Sequence, residues 1–121
     1  MAKTSPKLTA RRKRIKRIRK NIFGTGERPR MRVFKSNRHI YVQIIDDQKR
    51  VTLAAASSKG KDFEGVEYKN KCDQATKVGE IIAKKALAAG VKEVVYDRGG
   101  NVYHGRIKAL SEGARGGGLK F

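Results

Sequence analysis

Three stretches of the chain carry residue types suited to holding a polyanion. The densest is Arg11, Arg12, Lys13 and Arg14, followed by Lys16, Arg17, Arg19 and Lys20. A nucleic-acid backbone rewards such clustering, because each neutralised phosphate frees condensed counterions. An ordinary surface helix mixes its signs, whereas this run contains no acid. A helix lying on a membrane needs a broad face of bulky apolar residues, and Ile15, Ile18 and Ile22 supply only a narrow stripe.

The second stretch gathers Arg28, Arg30, Arg32, Lys35, Asn37, Arg38, His39, Tyr41 and Gln43. Fork donors, amides and an aromatic stand side by side there. RNA is held with this mixture: cations take phosphates, while Tyr, His and Arg planes stack on unpaired bases. Taken singly, Tyr41 also reads as a half-buried strand aromatic and His39 as a turn residue. The third stretch runs from Asp97 to Arg106. Gly99 and Gly100 let the backbone approach a ligand closely, and Arg98, Tyr103, His104 and Arg106 bracket that approach. A helix beginning near Arg106 would add free N–H groups for a phosphate. The plainer reading is a strand-to-helix loop in which Asp97 pairs with Arg98 or Arg106.

Catalytic patterns are absent. The sequence contains no G-x-x-x-x-G-K-[ST], no G-x-G-x-x-G opening a helix, no G-x-S-x-G and no H-E-x-x-H. Asp46 and Asp47 are adjacent at a strand end, so they point to opposite faces and read as turn residues rather than a metal pair. Cys72 stands at helical spacing from Ala75 and Gly79, which predicts a core position. A single cysteine forms no internal disulfide, in keeping with a reducing compartment. One Cys and two His fall short of the usual zinc ligand set. No apolar run approaches the length of a membrane span, and the N-terminus lacks the apolar centre of a signal peptide. Neither metal nor cofactor is expected.

The charge balance points the same way. Thirty Lys and Arg against 11 Asp and Glu in 121 residues give a formal net charge of +19. A lone domain would repel itself at that charge, so a polyanionic partner is implied. Residues 1–40 carry 15 basic residues and one acid, Glu27, whereas residues 41–121 carry 15 and ten. Most of the excess thus sits in one third of the chain, as in an arm attached to an ordinary domain. Hydrophobic residues make up 38% and 13 glycines add to them, which suffices for one modest core.

The elements that must position these residues are legible from periodicity. Residues 1–8 are expected to be disordered. A frayed helix follows from Thr9, because like charges four apart repel until phosphates neutralise them. Gly24 and Gly26 break it and form a hinge, which divides the chain into an arm, residues 1–26, and a domain, residues 27–121. From Arg28 the period becomes two. Met31 and Val33 alternate with Arg32 and Phe34, Ser36 to Arg38 make a turn, and His39 to Ile45 form a second strand facing inward with Ile40, Val42 and Ile44. Asp46 to Lys49 turn into a third strand, Val51 to Ser57. The three make an antiparallel meander. Residues 58–67 read as a polar loop. Ala75, Val78, Gly79, Ile82 and Ala86 recur at helical spacing, and Gly90 stops that helix. Val91 to Asp97 is a fourth strand, and Arg106 to about Arg115 a last helix that Gly116, Gly117 and Gly118 weaken at its end. A strand-helix-strand passage implies a right-handed crossover and parallel pairing. The fold class is therefore α/β: a mixed sheet covered by helices, with a basic helical arm.

Several of these segments resemble one known family. Arg28 to Asp47, read as RPRMRVFKSNRHIYVQIIDD, is similar to the first hairpin of bacterial-type large-subunit ribosomal protein eighteen. Thr52–Ser57, Lys77–Lys84, Val95–Gly100, Tyr103–Arg106 and Gly118–Phe121 resemble further blocks of that family in order. The match covers about residues 9–121 and begins near the first Met, so no sizeable targeting extension is expected. Asn101 departs from the family's common aromatic, and residues 58–70 follow no family pattern. The resemblance implies a structural, non-catalytic protein that binds 5S rRNA and helps attach it to the large-subunit rRNA in the central protuberance. It implies a neighbouring 5S-binding ribosomal protein, a monomeric state within a cytoplasmic ribosome, and no membrane partner. RNA contacts are implied for the arm, for the hairpin from Ser36 to Gln43 and for the loop from Arg98 to Arg106.

Overall fold

A computed structural model describes residues 10, 12–13, 22–99 and 102–121. Strands β1 (Arg30–Lys35), β2 (Ile40–Asp46), β3 (Val51–Ser57) and β4 (Val95–Asp97) form one sheet in the order β3-β2-β1-β4. β1 pairs antiparallel with β2 and parallel with β4, and β2 pairs antiparallel with β3. Helices α1 (Lys71–Ala88) and α2 (Arg106–Gly116) pack against each other, and α1 covers one face of the sheet. The mixed sheet and its helical cover agree with the periodicity.

Alternation places Met31, Val33, Ile40, Val42 and Ile44 in the core, where they are fully or almost fully buried. They meet Val78, Ile82, Ala83 and Ala86 of α1 and Ile107 and Leu110 of α2 in one apolar cluster. Paired glycines permit the close helix contact. A Cβ on Gly79 would collide with the Leu110 carbonyl, and one on Gly113 with the Thr76 carbonyl. α1 ends as expected: Gly90 adopts φ 84°, its N–H bonds to Leu87 O, and Val91 N–H bonds to Ala86 O at 2.8 Å. These two bonds satisfy carbonyls that the helix would otherwise leave open. Tyr96 reaches from β4 to the Ile107 carbonyl at 2.6 Å, and burial pushes its hydroxyl pKa up.

Three expectations are corrected. The fourth strand is shorter than its apolar run, because Val91 is used in the helix stop and Val94 N–H bonds to Lys120 O. The chain there lies beside the C-terminal residues, bridged at Glu93 and Lys120, and joins β1 only at Val95. Cys72 is exposed, not core. Its angular position on α1 suits burial, but it lies in the first turn, and burial begins only at Gln74 and Ala75. Residues 58–67 are not uniformly polar loop: Lys61–Phe63 forms a 3-10 turn that buries Phe63 in the core. Lys85 ties this segment down. It pairs with Asp62, holding that carboxyl below its ordinary pKa, and bonds to the Ala55 carbonyl of β3 at 2.8 Å.

One ionic junction fastens the end of the sheet. Arg30 is only 5% exposed. Its Nε donates to Asp47 Oδ2 at 3.0 Å, its Nη2 to Asp47 Oδ1 at 3.2 Å and its Nη1 to Asp97 Oδ2 at 2.7 Å. Burial alone would lower the Arg30 pKa, but both carboxylates outweigh it and raise it above its ordinary value. Asp47 also accepts the Gly24 N–H at 2.7 Å, while its own N–H donates to the Gly24 carbonyl at 3.0 Å. Gly24 has no space for a side chain against Arg30 and Ile45, so this part of the expected hinge lies pinned to the sheet. Asp46 keeps its turn role by accepting Gln48 and Lys49 N–H groups.

Removing Asp97 leaves Arg30 paired with Asp47 but strands its Nη1 donor and the Gly99 N–H. Asp97→Ala is therefore expected to destabilise the domain by about 1–3 kcal/mol, read as a lower midpoint of urea unfolding. An unchanged midpoint would show that this junction does not hold the sheet.

Candidate nucleic-acid interface

The face of the sheet turned away from the helices carries the second group of expected residues. Strand register sets Arg32 beside Gln43, Phe34 beside Tyr41, and Tyr41 beside Ser57. Phe34 is 42% exposed, and the Arg32 guanidinium lies 4.4 Å from its ring centre. Tyr41 meets His39 edge to face, at 6.4 Å between ring centres. Two aromatics and an amide thus share one surface, and Arg32 lies mostly buried beside them, paired with Asp97 at 3.8 Å. Flat rings beside cations suit stacking on bases and pairing with phosphates. Phe34 was not among the expected site residues, although its place one strand step from Arg32 could have found it. Lys35, at the end of β1, and Arg28, before its start, are exposed.

The β1–β2 turn is built rigidly. Ser36 N–H bonds to His39 O at 2.8 Å, and the Ser36 hydroxyl accepts the His39 N–H at 3.2 Å. Ser58 holds the His39 ring at 3.0 Å. Arg106, at the start of α2, donates through Nη1 to Ser36 O at 2.6 Å and through Nη2 to His39 O at 2.7 Å. Asn37 and Arg38 project from this fixed turn and are exposed.

The third group is divided. His104 is exposed and Arg98 half-buried. Gly99 adopts φ 65°, and its N–H bonds to Asp97 Oδ1 at 2.9 Å. That places the Asp97 partner on the backbone, alongside its bond to Arg30. Tyr103 packs edge to face on Tyr96, and its hydroxyl lies 2.6 Å from Ser111 Oγ. α2 begins after Gly105 with neither a side-chain cap nor an acid in its first turn, which leaves its positive end open to an anion.

Some of the residues expected to contact RNA have partners within the domain. Arg30 is buried on the face away from the core, because Asp47 and Asp97 occupy its fork. Arg106 spends two donors on hairpin carbonyls, so it positions the turn. The Tyr103 ring and hydroxyl are engaged within the domain. Of the arm, Arg12 and Lys13 are helical and exposed. Arg11, Arg14, Lys16, Arg17, Arg19 and Lys20, with Ile15 and Ile18, lie outside the described residues, as do Gly100 and Asn101. Among the described residues no group of His, Cys, Asp and Glu is placed to hold a metal, and no helix is long and apolar enough to cross a membrane.

Comparison with known proteins adds independent information. Residues 5–121 match the family described as ribosomal L18 of archaea, bacteria, mitochondria and chloroplast. The chain is 59% identical over 121 residues to the large ribosomal subunit protein uL18 of Desulfotalea psychrophila, covering 100% of both chains. It is 56% identical over 111 residues to that of Prochlorococcus marinus strain NATL1A, covering 90% of this chain and 91% of the relative. The similarity to that of Staphylococcus aureus strain JH9 is 59% over 109 residues, covering 90% of each.

The double bond from Arg106 makes a specific demand. In Arg106→Met the Ser36 and His39 carbonyls lose a charged donor, worth on the order of 2 kcal/mol. Backbone amide exchange at residues 36–39 is expected to speed up while exchange in the centre of α1 stays slow. Equal protection in both proteins would remove the clamp.

Proposed function

Because the chain belongs to the L18 family of ribosomal proteins, we propose that it binds 5S rRNA and helps join it to the large-subunit rRNA. It is a structural constituent of the large ribosomal subunit, and such proteins are not enzymes. Its relatives are ribosomal proteins of bacteria, whose ribosomes work in the cytoplasm.

One observation carries the RNA reading. The hairpin sets exposed cations beside the exposed Phe34 ring and the half-buried Tyr41. Arg30 is neutralised inside, Arg106 is committed to the turn, and Lys85 is held by Asp62. Arg28, Lys35 and Arg38 stay exposed along the hairpin that carries Phe34 and Tyr41. Phosphates take the cations and set register, while the rings take unpaired bases, so affinity and specificity come from different side chains. The arm, residues 1–26, adds sequence-independent attraction. Arg98, His104 and the open end of α2 form a second phosphate-binding edge. Within the ribosome the chain acts as a monomer beside another 5S-binding ribosomal protein and contacts no membrane.

If the protein neutralises about six phosphates, log K falls with log salt at a slope of roughly −4 to −5. Deleting residues 1–20 is expected to weaken 5S rRNA binding and make that slope shallower by filter binding across a salt series. A slope identical to that of the full chain would rule out the arm. Phe34→Ala and Tyr41→Ala, by contrast, should each weaken binding by about 1–3 kcal/mol with the slope retained. Full affinity in both variants, or equal affinity of the intact protein for duplex DNA, would reject the open face as an RNA platform.

A further inference from the structure

A groove of about 710 Å³ lies between the β1–β2 turn and the first turn of α1. Its volume falls within the range of small-ligand sites, roughly 300–1,000 Å³. Arg38 and His39 line it from the turn, and Tyr68, Asn70, Lys71 and Gln74 from the start of the helix. No carboxylate lines it. The nearby Asp73 is turned back onto the Lys69 N–H at 3.0 Å. The Tyr68 ring is 49% exposed and rests on Phe63, with 5.6 Å between centres.

Gln74 sets this groove apart from an ordinary helix start. It is only 3% exposed, yet its Oε1 is buried with no hydrogen-bond partner. A buried acceptor left unsatisfied costs about 1–3 kcal/mol, and native structures rarely keep one without a use. The groove therefore offers three things together: a buried lining glutamine with an unanswered acceptor, an exposed ring, and cations on both walls. A single molecule that answers all three has an N–H edge, a flat face and an anion.

We propose that this groove receives one unstacked RNA nucleotide. Its base lies on Tyr68 and donates an N–H to Gln74 Oε1, and its phosphate sits between Arg38 and Lys71. Base recognition by stacking plus an edge hydrogen bond is how proteins read splayed-out RNA. The clamp by Arg106 helps here too, since it fixes the turn that carries Arg38. The identity of the nucleotide's parent as 5S rRNA rests on the proposed function; the groove's preference for a nucleotide does not.

The test uses the full chain labelled with nitrogen-15 and carbon-13. Adenosine, guanosine, cytidine and uridine 5′-monophosphates are titrated separately, with inorganic phosphate and a hexaglutamate peptide as controls. At least one nucleotide is expected to move the Gln74 side-chain amide and Tyr68 ring signals saturably, with neither control doing so. If no nucleotide moves them, the proposal falls. If phosphate or the peptide moves them as well, the groove is a plain anion site and the proposal falls equally.

Gln74→Leu and Tyr68→Ala supply the second arm of the test. Gln74→Leu removes the orphaned acceptor, so its thermal midpoint should match or exceed that of the wild type, yet its nucleotide shifts should vanish. Tyr68→Ala is expected to bind 5S rRNA about tenfold more weakly, within the range for a lost stacking contact. Its salt slope should be unchanged, because no cation is lost. Wild-type nucleotide shifts in both variants would overturn the proposal. Should the wild-type protein fail to bind 5S rRNA at all, the function proposed above fails, while the nucleotide titration still decides the groove.

Discussion

The fold hangs on a guanidinium placed between two carboxylates. Arg30 belongs to β1, Asp47 to the turn after β2 and Asp97 to the end of β4, so one side chain ties three parts of the sheet. Parallel pairing of β4 with β1 spans only three residue pairs, which is little ladder for an edge strand. The ionic bond at its end supplies part of what the short ladder lacks. Asp47 extends the junction to Gly24, so the point where the arm meets the domain is held by the same charges. Burying ions is costly unless each is fully paired and hydrogen-bonded, and these three are.

That junction also sorts the cations. In a chain with net charge +19, each Lys or Arg looks equally available for a phosphate. The structure separates them by partner: Arg30 is spent on the sheet, Arg106 on the turn and Lys85 on the β3 edge. Of the exposed cations, Arg28, Lys35 and Arg38 belong to the β1–β2 hairpin and its flanks, while others lie on α1, α2 and the loops. The helices cover one face of the sheet with apolar residues and leave the other face open. The domain thus has a packed side that stabilises it and a cationic surface whose repulsion a partner must relieve.

Much of this was readable from residue order. Period-two alternation in β1 and β2 named the buried set, and the stop at Gly90 followed from its place after a helical run. The failures have particular causes. Alternation says that Arg30 points away from Met31; it cannot say that Gly24 and two distant carboxylates wait on that side. The apolar run Val91 to Val95 signals burial, yet burial against the C-terminal residues leaves the same pattern as a strand. Cys72 shares the buried angle of α1 but sits one turn too early, a matter of helix length against its neighbours. Phe63 stands alone among polar residues, so no period marks it. The groove beside Gln74 joins residues 37–39 to residues 68–74, far apart in the chain, and was invisible for that reason.

The clamp by Arg106 has a consequence for synthesis. The turn it secures is made of residues 36–39, while the clamping side chain arrives 67 to 70 residues later. A nascent chain leaves its own ribosome with the cationic segment first, followed by the hairpin, and β4 and α2 only near completion. During that interval the emerging polypeptide already carries most of its excess positive charge, while its hairpin tip is still unclamped. The tip becomes firm only late in translation, when the last helix docks.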